Sequence, residues 1–128
     1  MIGLLDVDGL IAADLVHDRV STLPAASTVG ELRAYFAASG SRQLALIVDG
    51  ERYVGSVTPP DVPEHAGPTA RAADFAQRGP VIEASRSARE ARDAALASLS
   101  ARLPVVDEDG RLVGIVALNH TRDGFCGT

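Results

Sequence analysis

The stretch of this sequence best suited to holding a ligand is Thr58-Pro59-Pro60-Asp61. A threonine followed by proline and, three residues on, by a carboxylate reads as a helix start, with Thr58 the N-cap and Pro59 in the first turn, where its missing N–H costs nothing. A helix N-terminus offers free amides to an anion, and a short carboxylate beside them can hold a vicinal diol. The same spacing is a capping-box variant, and capping alone explains both residues. Pattern alone leaves the two readings open. Reactive chemistry is scarcer still. All twelve cations are Arg, so Schiff-base chemistry, a P-loop lysine and a Ser-Lys dyad are excluded. Cys126 stands alone, and together with His17, His65 and His120 it shows no established metal-ligand spacing, so no metal is expected. No hydroxyl or thiol has a base at a recognisable motif distance, and no enzyme is expected.

Composition narrows the partners. The chain has 128 residues, one domain by the usual prior or two small halves sharing a core. Aromatics make up 4% with no Trp, so the core must come from Val, Leu, Ile and Ala, and a platform for stacking single-stranded nucleic acid is not expected. The formal charge of −5 gives no general attraction to phosphate polymers, so no nucleic-acid partner is expected and any anion must be held locally. The N-terminus has no basic start and acids interrupt its apolar run, unlike a secretory signal. The longest aliphatic run, Leu44 to Val48, falls far short of the ~20 residues that span a bilayer. A soluble cytoplasmic protein with no membrane partner is the expectation.

The elements that must position Thr58 and Asp61 occur twice. Sliding the sequence by 59 positions places Glu31, Arg33, Ala38, Ser39, Ser41, Leu44, Arg52, Val54, Gly55 and Val57 on Glu90, Arg92, Ala97, Ser98, Ser100, Leu103, Arg111, Val113, Gly114 and Val116. At a shift of 60, Ala12-Ala13-Asp14-Leu15 meets Ala72-Ala73-Asp74-Phe75. Each copy then has one plan: a short leading helix around 10–17 or 69–77, an extended segment at 20–23 or 80–82, and a capped helix after Thr28 or Ser87 with Glu three residues on. Gly40 is expected to stop the first of these helices in the left-handed conformation. Two apolar runs about a Gly/Asp turn follow as a hairpin, Leu44–Val48 with Tyr53–Val57 and Leu103–Val106 with Leu112–Val116. Gly55 and Gly114 in mid-strand mark places where a backbone or ligand comes close. A unit of about 60 residues is marginal alone, so two are expected to share a core.

The run Leu103-Pro104-Val105-Val106-Asp107, then Gly110-Arg111-Leu112-Val113-Gly114-Ile115-Val116, resembles the signature of the cystathionine beta-synthase (CBS) domain. The first half, ending Val54-Gly55-Ser56-Val57-Thr58-Pro59-Pro60-Asp61, resembles its partner, and the likeness spans roughly residues 12–125. The resemblance implies an α+β fold of two β-α-β-β-α repeats packed sheet to sheet with pseudo-twofold symmetry. On that plan residues 1–11 are an N-terminal extension, 12–64 the first repeat, 65–68 a linker and 69–128 the second repeat. It also implies a stand-alone, non-catalytic sensor that binds an adenine nucleotide or other adenosyl ligand (AMP, ADP, ATP or S-adenosylmethionine) in the cleft between the repeats. No cofactor is implied. Such a module forms a homodimer and signals to a regulated protein that the sequence does not identify.

In that family a hydroxyl and an Asp in Gly-x-x-Thr/Ser-x-x-Asp contact phosphate or ribose, and Thr58 and Asp61 match them. The second copy departs, with Ala117 and His120 at those positions, leaving His120 and Arg122 as the polar groups nearby and favouring one working cleft of two. By resemblance the adenine wall comes from Thr22, Leu23 and Val57 in the first copy and Val81, Ile82, Leu103 and Pro104 in the second, although strand Val and Leu are also ordinary core residues. The opening Asp6-Val7-Asp8-Gly9 resembles that of haloacid dehalogenase-like phosphatases. That chemistry needs a charge-balancing cation, further carboxylates and a larger sheet, and the duplication already occupies the rest of the chain. The competing reading is a ligand-free scaffold of the same fold, used for dimerisation or for holding another protein.

Overall fold

Thr28 and Ser87 each begin a helix, α1 (Val29–Ala37) and α2 (Ala88–Ala97), in a computed structural model that describes residues 1–17, 19–40, 42–98 and 100–128. The two starts differ in one respect. Thr28 Oγ1 accepts the Glu31 N–H at 3.2 Å while Glu31 Oε1 accepts the Thr28 N–H at 3.3 Å, a complete capping box. Ser87 Oγ accepts the Glu90 N–H at 3.1 Å, but the Glu90 carboxylate turns to Arg86 instead of reaching back. Gly40 does not stop α1 in the left-handed region: the helix ends at Ala38, which is right-handed, and Gly40 has no positive φ. The chain leaves α1 through a turn closed by the Arg42 N–H on the Ser39 carbonyl, 3.1 Å, with Gly40 inside it. Ser41, paired by sequence with Ser100, lies outside the described residues.

Each helix is flanked by a three-stranded mixed sheet. In one, β1 (Thr22–Pro24) runs parallel to β2 (Ala45–Asp49), which pairs antiparallel with β3 (Arg52–Val57). In the other, β4 (Ile82–Glu83) runs parallel to β5 (Arg102–Val106), which pairs antiparallel with β6 (Leu112–Ala117). The fold is α+β, as expected. The leading helices shrink to single 3₁₀ turns at Ala12–Leu15 and Ala72–Phe75, and a third 3₁₀ turn, Pro59–Asp61, stands where the first copy's closing helix was expected.

The sheets correct the repeat register at one place. Gly55 faces Ile47 and Gly114 faces Val105, so strands β2 and β5 correspond at a shift of 58, while β3 and β6 correspond at 59. Leu103 is therefore the counterpart of Ala45, not of Leu44. One residue fewer between α2 and β5 is recovered as one residue more in the second hairpin. The first hairpin turns on Gly50 and Glu51 alone, with Gly50 at φ +64, where a two-residue turn requires a positive φ. The second uses Glu108, Asp109 and Gly110, with Gly110 at φ +82 and the Asp107 carboxylate accepting the N–H groups of Asp109 and Arg111, both at 2.9 Å. Both copies keep a bulge at Val54 or Val113.

The compact units are cut differently from the sequence copies. One comprises Ser21–Gly79; the other comprises Met1–Val20 with Pro80–Thr128. The leading segment of each copy thus lies in the unit built on the other copy's sheet, and the two exchanged segments bond alike. The Ala12 N–H donates to the Arg86 carbonyl at 2.7 Å, and the Ala72 N–H to the Ser27 carbonyl at 2.9 Å. Further on, His17 bridges to Ile115 on β6, and Gln77 bridges to Ser56 on β3. These bridges explain the mid-strand glycines. A Cβ on Gly55 would lie 2.8 Å from the Gln77 carbonyl oxygen, and one on Gly114 would lie 2.6 Å from that of His17.

In the Ser21–Gly79 unit, Leu32, Ala45, Ile47, Val57 and Ala72 form the core. In the other, Ala88, Ala91 and Ala95 of α2 pack with Leu103, Val105 and Val116, and with Val7, Leu15, Leu118 and Phe125. Residues 1–11, which the sequence leaves without a role, contribute Val7 to this core and close it at the edge. Gly3 bridges to Gly124, the Phe125 N–H donates to the Ile2 carbonyl at 3.0 Å, and the Ile2 N–H donates to Thr128 Oγ1 at 2.8 Å. Arg92 reaches the Leu4 carbonyl at 3.1 Å and Arg89 pairs with Asp8, pinning the same segment to α2.

Candidate functional site

β3 delivers Thr58 and the turn after it. The Thr58 N–H and its hydroxyl both donate to Asp61 Oδ2 at 2.8 Å, and Gln77 Nε2 donates to Asp61 Oδ1 at 3.0 Å. Three donors therefore hold one half-buried carboxylate in a single orientation. A carboxylate has about four acceptor positions, so one on Oδ1 stays open. The amides expected to receive an anion are not available. The turn is only Pro59–Asp61, its first two residues lack an N–H, and the N–H groups of Asp61 and Val62 donate to the carbonyls of Thr58 (3.0 Å) and Pro59 (3.3 Å). What Thr58 and Asp61 offer is an acceptor suited to hydroxyl groups.

Thr22 and Leu23 lie on β1 of the same unit, opposite Leu46 and Ile47. Thr22 is exposed and Leu23 packs on the core. Val57, expected in an adenine wall, is fully buried in that core beside Leu32 and Ala72. Gln77, which sequence reasoning missed, had a signal: extending the 60-residue register from Leu15/Phe75 by two positions pairs His17 with Gln77, and these are the residues that bridge to the strands. Its neighbour Arg78 donates to the Tyr53 carbonyl at 2.6 Å, and its guanidinium lies 5.7 Å from the Tyr53 ring centre. The Tyr53 ring is buried, and burial pushes its hydroxyl pKa up against smaller opposing effects of Ser56 and Arg78. The Ser56 hydroxyl lies near enough to exert that effect without reaching hydrogen-bonding geometry, which leaves the Tyr53 oxygen without a partner among the described residues.

In the other unit, Val81 and Ile82 line an open groove of about 380 Å³ together with Glu83, Arg86, Glu90 and Ala94. Arg86 closes on Glu90, with Nη2 at 2.8 Å and Nε at 3.0 Å from the same oxygen. Leu103 is a core residue, and Pro104 is buried as well. After β6 no turn like Thr58–Asp61 forms. The chain instead folds back, pairing Leu118 with Phe125, around a loop in which Asn119 Nδ2 (2.6 Å) and Thr121 Oγ1 (2.8 Å) both donate to Asp123 Oδ1. Those two bonds hold the Asp123 carboxyl below its usual range. His120 and Arg122 ride exposed on this loop, Arg122 at φ +57 with Nη1 3.5 Å from the Leu96 carbonyl. Among the described residues no helix is long and apolar enough to cross a membrane.

The CBS-domain family model matches residues 72–120. No curated protein matches the chain by sequence. Solved structures do match in fold. The cystathionine beta-synthase pair domain of a Shewanella oneidensis protein superposes with a TM-score of 0.68 at 23% identity, over 84% of this chain and 64% of its own. Arabidopsis thaliana CBSX2 in complex with AMP gives a TM-score of 0.64 at 22% identity, over 85% of this chain and 90% of that one. The cytosolic domain of the Mg2+ channel MgtE in complex with ATP gives 0.68 at 25% identity, over 89% of this chain but only 48% of its own. The chain thus spans less than two thirds of the length of the Shewanella and MgtE chains. Duplicated hairpins on capped helices, exchanged leading segments and these likenesses lead to one assignment: the second copy is matched as a CBS domain by sequence, and the fold is that of a CBS-domain pair.

Proposed function

We propose that this protein is a non-catalytic regulatory module that holds an adenosyl ligand, drawn from AMP, ADP, ATP and S-adenosylmethionine, and passes its occupancy to a partner protein in the cytoplasm as a homodimer. The observation that carries the reading is the Asp61 carboxylate, fixed by Thr58 and Gln77 with acceptor capacity to spare, which is the group a ribose diol needs. CBS-domain pairs are regulatory modules, and the AMP complex of CBSX2 and the ATP complex of the MgtE cytosolic domain support an adenine ligand for this fold. Isothermal titration with the four compounds tests it. At least one should bind, and Asp61→Ala should weaken binding at least about tenfold, the loss expected when a hydrogen bond to a charged group worth ~1.5–3 kcal/mol is removed. Binding that survives Asp61→Ala unchanged removes this residue from the site.

The Asn119–Asp123 loop favours a second reading for the second copy, because it replaces the Thr58–Asp61 arrangement with a self-bonded turn. On that reading the fold is a ligand-free scaffold. The ultraviolet spectrum of the purified protein separates the two: with no Trp and two Tyr, co-purified nucleotide shows as excess absorbance near 260 nm. Should that excess be missing and all four titrations be flat, the scaffold reading stands.

A further inference from the structure

We propose that residues 126–128 are a strap that closes, in the second copy, the place where the first copy forms its Thr58–Asp61–Gln77 site. The proposal rests on the adenosyl reading of that site and goes beyond it by naming what shuts its counterpart. The bridges give the correspondence. Ser56 and Gln77 exchange two backbone bonds at 2.8 and 2.9 Å, and Ile115 and His17 exchange the same two at 3.1 and 2.8 Å. Ala117 therefore stands where Thr58 stands, and His17 where Gln77 stands. In the first copy the Asp61 carboxylate joins those two positions. In the second copy a backbone segment joins them instead. The Cys126 N–H donates to the Ala117 carbonyl at 2.8 Å, and the next residue, Gly127, lies against the His17 ring.

Gly127 suits this seat for two reasons. Its φ is +76, and a Cβ on it would lie 2.7 Å from His17 Nδ1, 3.0 Å from Cγ and 3.1 Å from Cβ. A return hairpin delivers it: Leu118 bridges to Phe125, and the Asn119 N–H donates to the Gly124 carbonyl at 2.9 Å. Phe125 is fully buried and anchors the strap. Beyond the anchor the hold is slighter. Cys126 is half-buried, Gly127 is exposed, and Thr128 is tied by its hydroxyl, which accepts the Ile2 N–H and donates to the Phe125 carbonyl, both at 2.8 Å. A segment with few buried apolar contacts opens at lower free energy than the core that carries it. Residues 126–128 can therefore swing off while Phe125 stays seated, baring the His17 ring and the Ala117 carbonyl. In the first copy the chain after Asp61 is tied to α1 instead, where Arg33 Nη2 donates to the carbonyls of Pro63, Glu64 and Ala66 at 3.2, 3.4 and 3.1 Å.

Cys126 is the one cysteine of the sequence, so thiol labelling of the whole protein reports the strap directly. An aromatic disulfide reagent exchanges with the thiolate, forming a mixed disulfide and releasing one coloured aromatic thiolate. Gly127→Ala should speed labelling by at least about fivefold, since a left-handed alanine and a Cβ against His17 both favour the open strap. Gly110→Ala is the control. Gly110 is also left-handed, at φ +82, but a Cβ there meets nothing within 4 Å, and labelling should keep the parent rate. On a His17→Ala background, Gly127→Ala should speed labelling less than it does in the parent. Labelling of Gly127→Ala at the parent rate, or an equal rise in Gly110→Ala, overturns the strap. Hydrogen exchange on the parent keeps the test decisive where Gly127→Ala does not fold. The Cys126 amide should be slowed at least about tenfold yet exchange faster than the Phe125 amide, and exchange at the unprotected rate, or as slowly as Phe125, overturns the strap. Calorimetric titration of the parent with the four adenosyl compounds should give one site per chain, and two sites overturn the closure. If none of the four binds, the adenosyl reading falls, while labelling and exchange still decide the strap.

Discussion

Substituting Gly55 by alanine presses directly on the exchange of leading segments. The added Cβ would stand 2.8 Å from the Gln77 carbonyl oxygen, 3.0 Å from its carbon and 3.1 Å from the Ala76 Cβ, where ordinary contacts begin near 3.4 Å. Two of these atoms are backbone, so no side-chain rotation relieves the clash. Residues 76–77 must move by several tenths of an ångström, which strains the pair of bonds joining Ser56 and Gln77 at 2.8 and 2.9 Å. Overpacking of this kind costs about 1–3 kcal/mol. Loss of glycine's freedom in the unfolded chain offsets ~0.5–1 kcal/mol of it. A net loss of about 1–2 kcal/mol lowers Tm by roughly 4–8 °C for a chain of this size. Thermal melts followed by circular dichroism, with urea titration beside them, read the effect. Gly67→Ala, which meets nothing within 4 Å, is the control and should change stability by less than about 0.5 kcal/mol. Equal Tm values for Gly55→Ala and Gly67→Ala would refute the claim that Gln77 is seated against β3.

Phe125→Ala should cost about 3–5 kcal/mol in urea denaturation, because the ring is fully buried among Val7, Leu15 and Leu118; a loss below about 1 kcal/mol would mean that residues 118–128 do not close this core. Tyr53→Phe should leave stability unchanged or raise it at neutral pH, since the buried hydroxyl has no partner, and a loss above about 1 kcal/mol would show that it has one. The same variant should resist alkali better. The folded Tyr53 pKa lies above its ordinary 10.0, so in the parent the unfolded chain releases its proton first and stability falls as pH rises past about 10, a component absent from the Phe variant. For Asp123 the sign is opposite. Its carboxyl sits below the ordinary 3.8, so its contribution is present above that pH and lost as pH falls through the lower folded value; acid denaturation curves of Asp123→Asn should lack that component, and identical curves would discount the Asn119 and Thr121 bonds.

Most of the secondary structure was legible because its causes are local. Thr28 and Ser87 announce helices through hydrogen bonds three residues away, and Gly50 and Gly110 supply the positive φ that their hairpins require. The failures share a cause. Gly40 looked like a left-handed helix stop, but α1 ends at Ala38 and Gly40 enters the next turn, closed by Arg42 on Ser39, without a positive φ. Leu44 and Leu103 matched as letters although strand pairing makes Ala45 the counterpart of Leu103, because a one-residue difference before the strand is made up in the next hairpin. The anion site at Thr58 was read from a helix that closed as one 3₁₀ turn, since Pro59 and Pro60 bring no donors and Val62 ends it.

By itself the sequence determined that the chain is doubled, where each helix and hairpin begins, and that Gly55 and Gly114 face something close. Only the tertiary structure decided what that something is: the backbone of the other copy's leading segment, Gln77 or His17. Two copies with the same capping and pairing preferences satisfy the same hydrogen bonds whether each leading segment joins its own sheet or its neighbour's, so nothing local distinguishes the arrangements. The groove beside Val81 and the seat of Gln77 on Asp61 bring together residues distant in the chain, Val81 and Ala94 on one lining and Asp61 bonded to Gln77, and such juxtapositions leave no periodicity to read.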